Sequence, residues 1–138
     1  MQVVPYLYFN GNCEEAYNFY CEALGGERTG IMRYGDQGPE VPPEVAKRIM
    51  HTELKLGDYL IYFSDTSSEG EYQIGSNVQI NLNLDTEAEI RKVYEGLSQG
   101  ATVTMELQDT FWGAIYGALV DKFGVSWSFN YMKEQPKE

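Results

Sequence analysis

The chain says the same thing twice. Residues 3–64 and residues 78–131 carry one order of patterns: a strand, a capped helix, then three more strands. Val3-Val4-Pro5-Tyr6-Leu7-Tyr8-Phe9 lines up with Val78-Gln79-Ile80-Asn81-Leu82-Asn83-Leu84. After the first run and the break at Asn10-Gly11, Asn12 and Glu15 have the spacing of a capping box. Ala16, Phe19, Tyr20, Ala23 and Leu24 then fall at i, i+3, i+4, i+7 and i+8, one apolar stripe that Gly25-Gly26 ends. After the second run come Thr86 and Glu89 as the box, Ile90, Val93, Tyr94 and Leu97 as the stripe, and Gly100 as the stop. The expected architecture is α+β: two βαβββ modules, about residues 1–66 and 76–133, in a single domain spanning 1–138. They are expected to form a cupped mixed sheet with a ligand site between the halves. At 138 residues the chain holds one sizeable core, and each small module is expected to lean on the other.

The remaining strands are predicted at Arg28 to Tyr34, Ile49 to Leu56 and Tyr59 to Ser64, and again at Thr102 to Leu107, Ile115 to Val120 and Val125 to Tyr131. Gly35 to Lys47, with one helical turn after Pro43, reads as an ordinary surface loop or a lid. Asp65 to Gly75 reads as the linker between modules.

A net charge of −11 argues against nucleic acid and against anionic membrane surfaces, both of which need clustered Lys and Arg. A neutral or cationic small organic molecule is the better partner. The start has no basic, apolar leader, and no run reaches the roughly 20 residues of a spanning helix, so a cytoplasmic location is expected. Cys13 and Cys21 lie eight positions apart on one predicted helix, about 12 Å along its axis and too far for a disulfide. A reducing compartment fits them.

Strand parity sorts the faces. Ile80, Leu82 and Leu84 belong on the helix side, leaving Gln79, Asn81 and Asn83 on the other, where such amides line a polar pocket or meet water. The repeat then puts Val4, Tyr6 and Tyr8 on the corresponding outer face. In Ile49 to Leu56, Leu54 and Leu56 face the helix, and His51, Glu53 and Lys55 face away. Parity also gives Leu60, Tyr62 and Ser64, then Ser126, Ser128 and Asn130, to the cavity side. His51 and Glu53, on one face and about 7 Å apart at their backbones, are the candidate catalytic acid–base pair. The bland alternative is a fixed hydrogen bond in a cavity wall, with Glu53 and Lys55 pairing to a neighbouring strand. Tyr6, Tyr8, Tyr62, Gln79, Asn81, Trp112 and Ser128 are the candidate ligand contacts. Trp112 either stacks on a flat ligand or anchors a core.

The strings Pro5-Tyr6-Leu7-Tyr8-Phe9-Asn10-Gly11-Asn12-Cys13-Glu14-Glu15-Ala16, Met50-His51-Thr52-Glu53-Leu54 and Asp109-Thr110-Phe111-Trp112-Gly113, continued by Tyr116-Gly117, Asp121-Lys122-Phe123-Gly124 and Trp127, together with the duplication, resemble the vicinal oxygen chelate superfamily, also called the glyoxalase/bleomycin resistance/dioxygenase superfamily. Within it the chain is most similar to the PhnB-like proteins, which often carry the label of a 3-demethylubiquinone-9 3-methyltransferase. A nucleotide-type methyltransferase fold would need a turn such as GxGxxG, and no glycines here have that spacing. The resemblance implies the glyoxalase fold, a homodimer, and, in the superfamily's metal enzymes, His and Glu ligands on the first and fourth strands of each module. Those positions fall here at Val4, Gln79, Tyr62 and Ser128, of which only the Gln79 amide is even a weak ligand. With a single histidine, neither a metal of the family type nor another cofactor is expected. An unusual metal site using His51 and Glu53 stays open. Three readings of function follow: a small-molecule-binding PhnB-like protein of unassigned reaction, a metal-dependent lyase or dioxygenase, or a non-catalytic drug- or metabolite-sequestering protein of the bleomycin-resistance kind.

Overall fold

A computed structural model describes residues 1–37, 40–67 and 72–133. Residues 38–39 of the expected loop, and residues 68–71 of the expected linker, lie outside that description. The chain divides into two compact units, Met1–Gln73 and Ile74–Glu138. Each is built the same way.

In the first unit the elements are β1 (Tyr6–Phe9), α1 (Cys13–Leu24), β2 (Glu27–Arg28), β3 (Met32–Arg33), a 3-10 turn (Tyr34–Gln37), the single helical turn α2 (Pro43–Ala46), β4 (Ile49–Leu56) and β5 (Tyr59–Asp65). The second unit holds β6 (Ile80–Asn83), α3 (Glu87–Leu97), β7 (Thr102–Asp109), β8 (Ala114–Val120) and β9 (Ser126–Met132). The sheet orders are β1-β5-β4-β2, with β3 also on β4, and β6-β9-β8-β7. In both, the first strand runs parallel to the last and the rest is antiparallel. Tyr6 sits opposite Tyr62 as Asn81 sits opposite Ser128. The fold is thus α+β with two mixed sheets, and the repeat read from the sequence is a repeat of topology and of register.

One strand in the first copy differs from expectation. Arg28 to Tyr34 is not continuous: Arg28 faces Leu54 and Met32 faces His51, so β2 and β3 are separated by one residue more than β4 supplies. At Thr29 the main-chain N–H still reaches the Glu53 carbonyl, but the Glu53 N–H donates to the Thr29 hydroxyl where a ladder would use a main-chain carbonyl, and the hydroxyl donates back to the Glu53 carbonyl. The predicted first strand also begins late, at Tyr6. Pro5 has no N–H to give, and only its carbonyl joins β5, accepting from Tyr62.

α1 packs on β4 and β5, and α3 on β9. The core of the first unit joins Ala16, Tyr17 and Tyr20 of α1 to Phe9, Leu54 and Phe63, with Tyr17 edge-on to Phe63 at 5.1 Å. The buried face of α1 is therefore turned toward Tyr17 from the predicted stripe, leaving Phe19 and Leu24 half-buried. Tyr17 tolerates burial because its hydroxyl donates to the Glu53 carbonyl at 2.7 Å and accepts from Thr29 N–H. In α3 the predicted Ile90, Val93 and Leu97 are the buried residues. Trp127 and Phe129 cover the sheet side of that core.

The two helix starts differ. Thr86 caps α3 by accepting from Glu89 N–H, and Glu89 reaches back to the N–H of Asp85. Asn12 makes no side-chain cap. Its place is taken from across the sheet by Asp65, 2% exposed, whose carboxylate accepts from Gly11 N–H at 2.7 Å, Cys13 N–H at 3.0 Å and Ile49 N–H at 2.9 Å. After α1, Gly26 holds a positive φ of 86°, and a Cβ there would lie 2.5 Å from the Lys55 carbonyl oxygen, so only glycine lets the helix turn back onto β4.

Candidate functional site

The face of the first sheet turned away from α1 gathers the residues that parity assigns to it. Tyr6 and Tyr8 come from β1, His51 and Glu53 from β4, and Tyr62 from β5. Tyr6 Oη lies 2.9 Å from His51 Nδ1, and His51 Nε2 lies 2.7 Å from Glu53 Oε2. Around this chain of bonds the rings pack closely. Tyr6 and Tyr8 stack at 4.7 Å, and Tyr62 meets Tyr6 edge-on at 5.4 Å and His51 at 4.9 Å. The cluster is open to solvent: the side chains of His51 and Glu53 are 30% and 29% exposed, and Tyr8 is 52% exposed.

The backbone under Glu53 is pinned by Tyr17 and by Thr29, so the carboxylate leaves a fixed point of β4. Glu53 pairs with His51; Lys55 is exposed at the far end of β4. The proton positions follow from the acceptors. A carboxylate only accepts, so Nε2 carries the ring proton toward Glu53, and in the neutral ring Nδ1 accepts from the Tyr6 hydroxyl. Partial burial, and then the neighbouring Tyr8, push the Tyr6 phenol up to about 12, which suits it to stay a donor.

That shift has a consequence for stability. A phenol that holds its proton more tightly in the folded than in the unfolded chain stabilises the fold fully below pH 10, and this contribution is lost as the pH rises through 12. Burial raises Tyr17, Cys13 and Cys21 in the same direction. Thermal melts from pH 8 to pH 12 are expected to show a falling midpoint on the alkaline side, and Tyr6→Phe to flatten part of the slope. An unchanged slope in the variant would contradict the placement of Tyr6.

In the second unit, Ser128 Oγ donates to Asn81 Oδ1 at 2.8 Å, and Asn81 Nδ2 donates to Asn83 Oδ1 at 2.9 Å. Asn81 and Ser128 therefore satisfy each other, with Ser128 buried. Gln79 is exposed just before β6. Trp112, 47% exposed at the turn between β7 and β8, is edge-on to Phe111 and to Tyr116 and is no core anchor. The candidate residues thus form two groups, one on each unit.

The family's metal chemistry does not match these side chains. Val4 has no donor atom, the Tyr62 ring packs on Tyr6 and His51, and the Ser128 hydroxyl is spent on Asn81. Both nitrogens of His51 are engaged. Among the described residues no three His, Cys, Asp or Glu side chains come together, and the donor set does not fit a divalent ion of the zinc, nickel or iron kind.

One feature gave no sequence signal. A cavity of about 440 Å³ in the first unit opens where α1 begins, between Gly11, Arg33, Arg48 and Asp65. Its residues are scattered along the chain, and their ordinary surface composition has no periodicity to mark them.

Comparison with known proteins agrees with the topology. The sequence profile of the Glyoxalase/Bleomycin resistance protein/Dioxygenase superfamily matches residues 2–129. Protein YjdN of Escherichia coli (strain K12) is 29% identical over 150 aligned positions, covering 100% of both chains. The crystal structure of protein PA1353 from Pseudomonas aeruginosa superposes with a TM-score of 0.87 at 36% identity, over 97% of this chain and 99% of that one. The PhnB protein of Bacillus cereus gives 0.78 at 26% identity, over 95% and 99%. Among the described residues no helix is long and apolar enough to cross a membrane.

Proposed function

The chain belongs to the Glyoxalase/Bleomycin resistance protein/Dioxygenase superfamily, and on that footing we propose that it is a PhnB-like protein that binds a small organic molecule on the open face of β1, β4 and β5, with His51 and Glu53 as its acid–base pair. The observation that carries this reading is the unbroken Tyr6–His51–Glu53 chain of hydrogen bonds, set among three tyrosine rings and still reachable from solvent.

The chemistry follows from the bonds. A ligand group with an acidic proton, docked at the Tyr6 oxygen, gives that proton to the phenol as the phenol passes its own to His51 Nδ1. The ligand becomes an anion, the ring an imidazolium, and Tyr6 is a phenol before and after. Glu53 at Nε2 offsets the positive charge on the ring. Running the step backward delivers a proton. The tyrosine faces supply apolar area for a flat ligand and orient it. The working unit is proposed to be a homodimer.

A screen of small molecules followed through the ring signals of His51 tests the reading, because the protein has one histidine and its signals need no assignment by mutation. A ligand is expected to shift those signals to saturation. If it is turned over, His51→Ala and Glu53→Gln are expected to slow the reaction by about 10²–10⁴-fold. A ligand returned unchanged at one per site would identify sequestration instead. Ligands that saturate without moving the His51 signals would contradict the site.

A further inference from the structure

The chain has ten Lys and Arg residues against 21 Asp and Glu, yet three of those ten line the cavity beside the start of α1. Arg33, Lys47 and Arg48 face Glu14, Glu44 and Asp65 there. By count the charges cancel, but their engagements differ. Asp65 is already satisfied by three backbone N–H groups at the cavity floor, beside the fully buried Ile49. Glu14 is held by Arg33 at 3.1 Å.

The cations are positioned and only partly used. One nitrogen of Arg48 donates to Asn10 Oδ1, the Thr66 carbonyl and Thr66 Oγ1, which fixes the guanidinium. Its other terminal nitrogen lies toward Gly11, where a Cβ would be 3.4 Å away, so the absent side chain leaves that edge open. Arg33 is braced by the Lys47 carbonyl as well as by Glu14. Among the described residues the Lys47 ammonium and the Glu44 carboxylate make no hydrogen bond or ion pair.

From this arrangement we infer that the cavity is a binding site for the oxyanion head group, carboxylate or phosphate, of a small organic molecule. Lys47 and the free edge of Arg48 take the charge, and Glu44 accepts from a hydroxyl or amine further along the ligand. A volume of about 440 Å³ is enough for such a molecule. Of the acidic residues outside this lining, Asp36 stands beside Arg33, whose N–H it accepts, and at physiological salt charges more than about 8 Å away are largely screened. Arg guanidinium edges match oxyanions in geometry as well as charge.

The test is a titration of the whole protein with inorganic phosphate, and separately with acetate, against sodium chloride at matched ionic strength. Backbone and arginine side-chain N–H signals near Gly11, Glu14 and Arg48 report it. Saturable shifts with phosphate or acetate, weakened at least about tenfold by Lys47→Gln and unchanged by Lys92→Gln on α3, are the expected result. Saturation by one anion alone names the head group. Lys47 makes no bond among the described residues, so its loss is not expected to disturb folding, and Arg48→Gln serves as a second variant. Shifts that stay linear, that chloride reproduces, or that both variants leave intact would overturn the assignment.

Discussion

Asp65→Ala is expected to lower the stability of the protein by about 3–5 kcal/mol, enough to remove much of the margin of a typical domain. The residue is 2% exposed and its carboxylate closes three N–H groups from two elements, at the start of α1 and the start of β4. Charge-assisted bonds contribute about 1.5–3 kcal/mol each, and two of the donors left behind, on Cys13 and Ile49, are buried where water does not replace the lost acceptor. Asp65→Asn keeps one accepting oxygen and is expected to fall between wild type and alanine. Urea unfolding followed by circular dichroism measures both. A loss below about 1 kcal/mol for alanine would mean that Asn12 can take over the cap.

In the second unit the largest expected effect belongs to Trp127→Ala, at about 3–5 kcal/mol. Trp127 is fully buried, and its indole N–H donates to Asp121 Oδ2 at 2.8 Å. The other oxygen of Asp121 accepts from Phe123 N–H and Val125 N–H, which closes the turn between β8 and β9. Removing the indole therefore leaves a cavity and takes one donor from a buried carboxylate. Trp127→Phe restores most of the volume but not the bond, and is expected to cost about 1–3 kcal/mol. Fluorescence separates the two tryptophans: Trp112→Phe leaves Trp127 as the sole reporter of this core. Alanine at 127 with near wild-type unfolding would contradict the packing.

Much of this is legible in the amino-acid sequence. Period-two alternation placed His51, Glu53, Tyr6, Tyr8 and Tyr62 on one face because each strand buries its other side against a helix, and burial leaves a strong pattern. The matching register of Tyr6 with Tyr62 and of Asn81 with Ser128 follows from the same repeat. What escaped the sequence depends on single side chains meeting distant backbone. Thr29 splits a strand by bonding Glu53, Asp65 replaces Asn12 as the cap, and Tyr17 enters the core because a carbonyl waits for its hydroxyl. None of these changes hydropathy along the chain. The cavity escaped for the same reason, since Arg33 and Arg48 become neighbours of Asp65 only after β4 and β5 pair.

Nitrogen-15 spectroscopy of the single imidazole, recorded on the free protein near neutral pH and on Tyr6→Phe and Glu53→Gln, is the most direct test of the proposed site. The neutral form of the ring is expected to carry its proton at Nε2, with Glu53→Gln weakening that preference and Tyr6→Phe altering the Nδ1 signal alone. A ring protonated at Nδ1 in the wild type, or one indifferent to both substitutions, would show that Tyr6, His51 and Glu53 do not form one chain of hydrogen bonds and would remove the basis for an acid–base site.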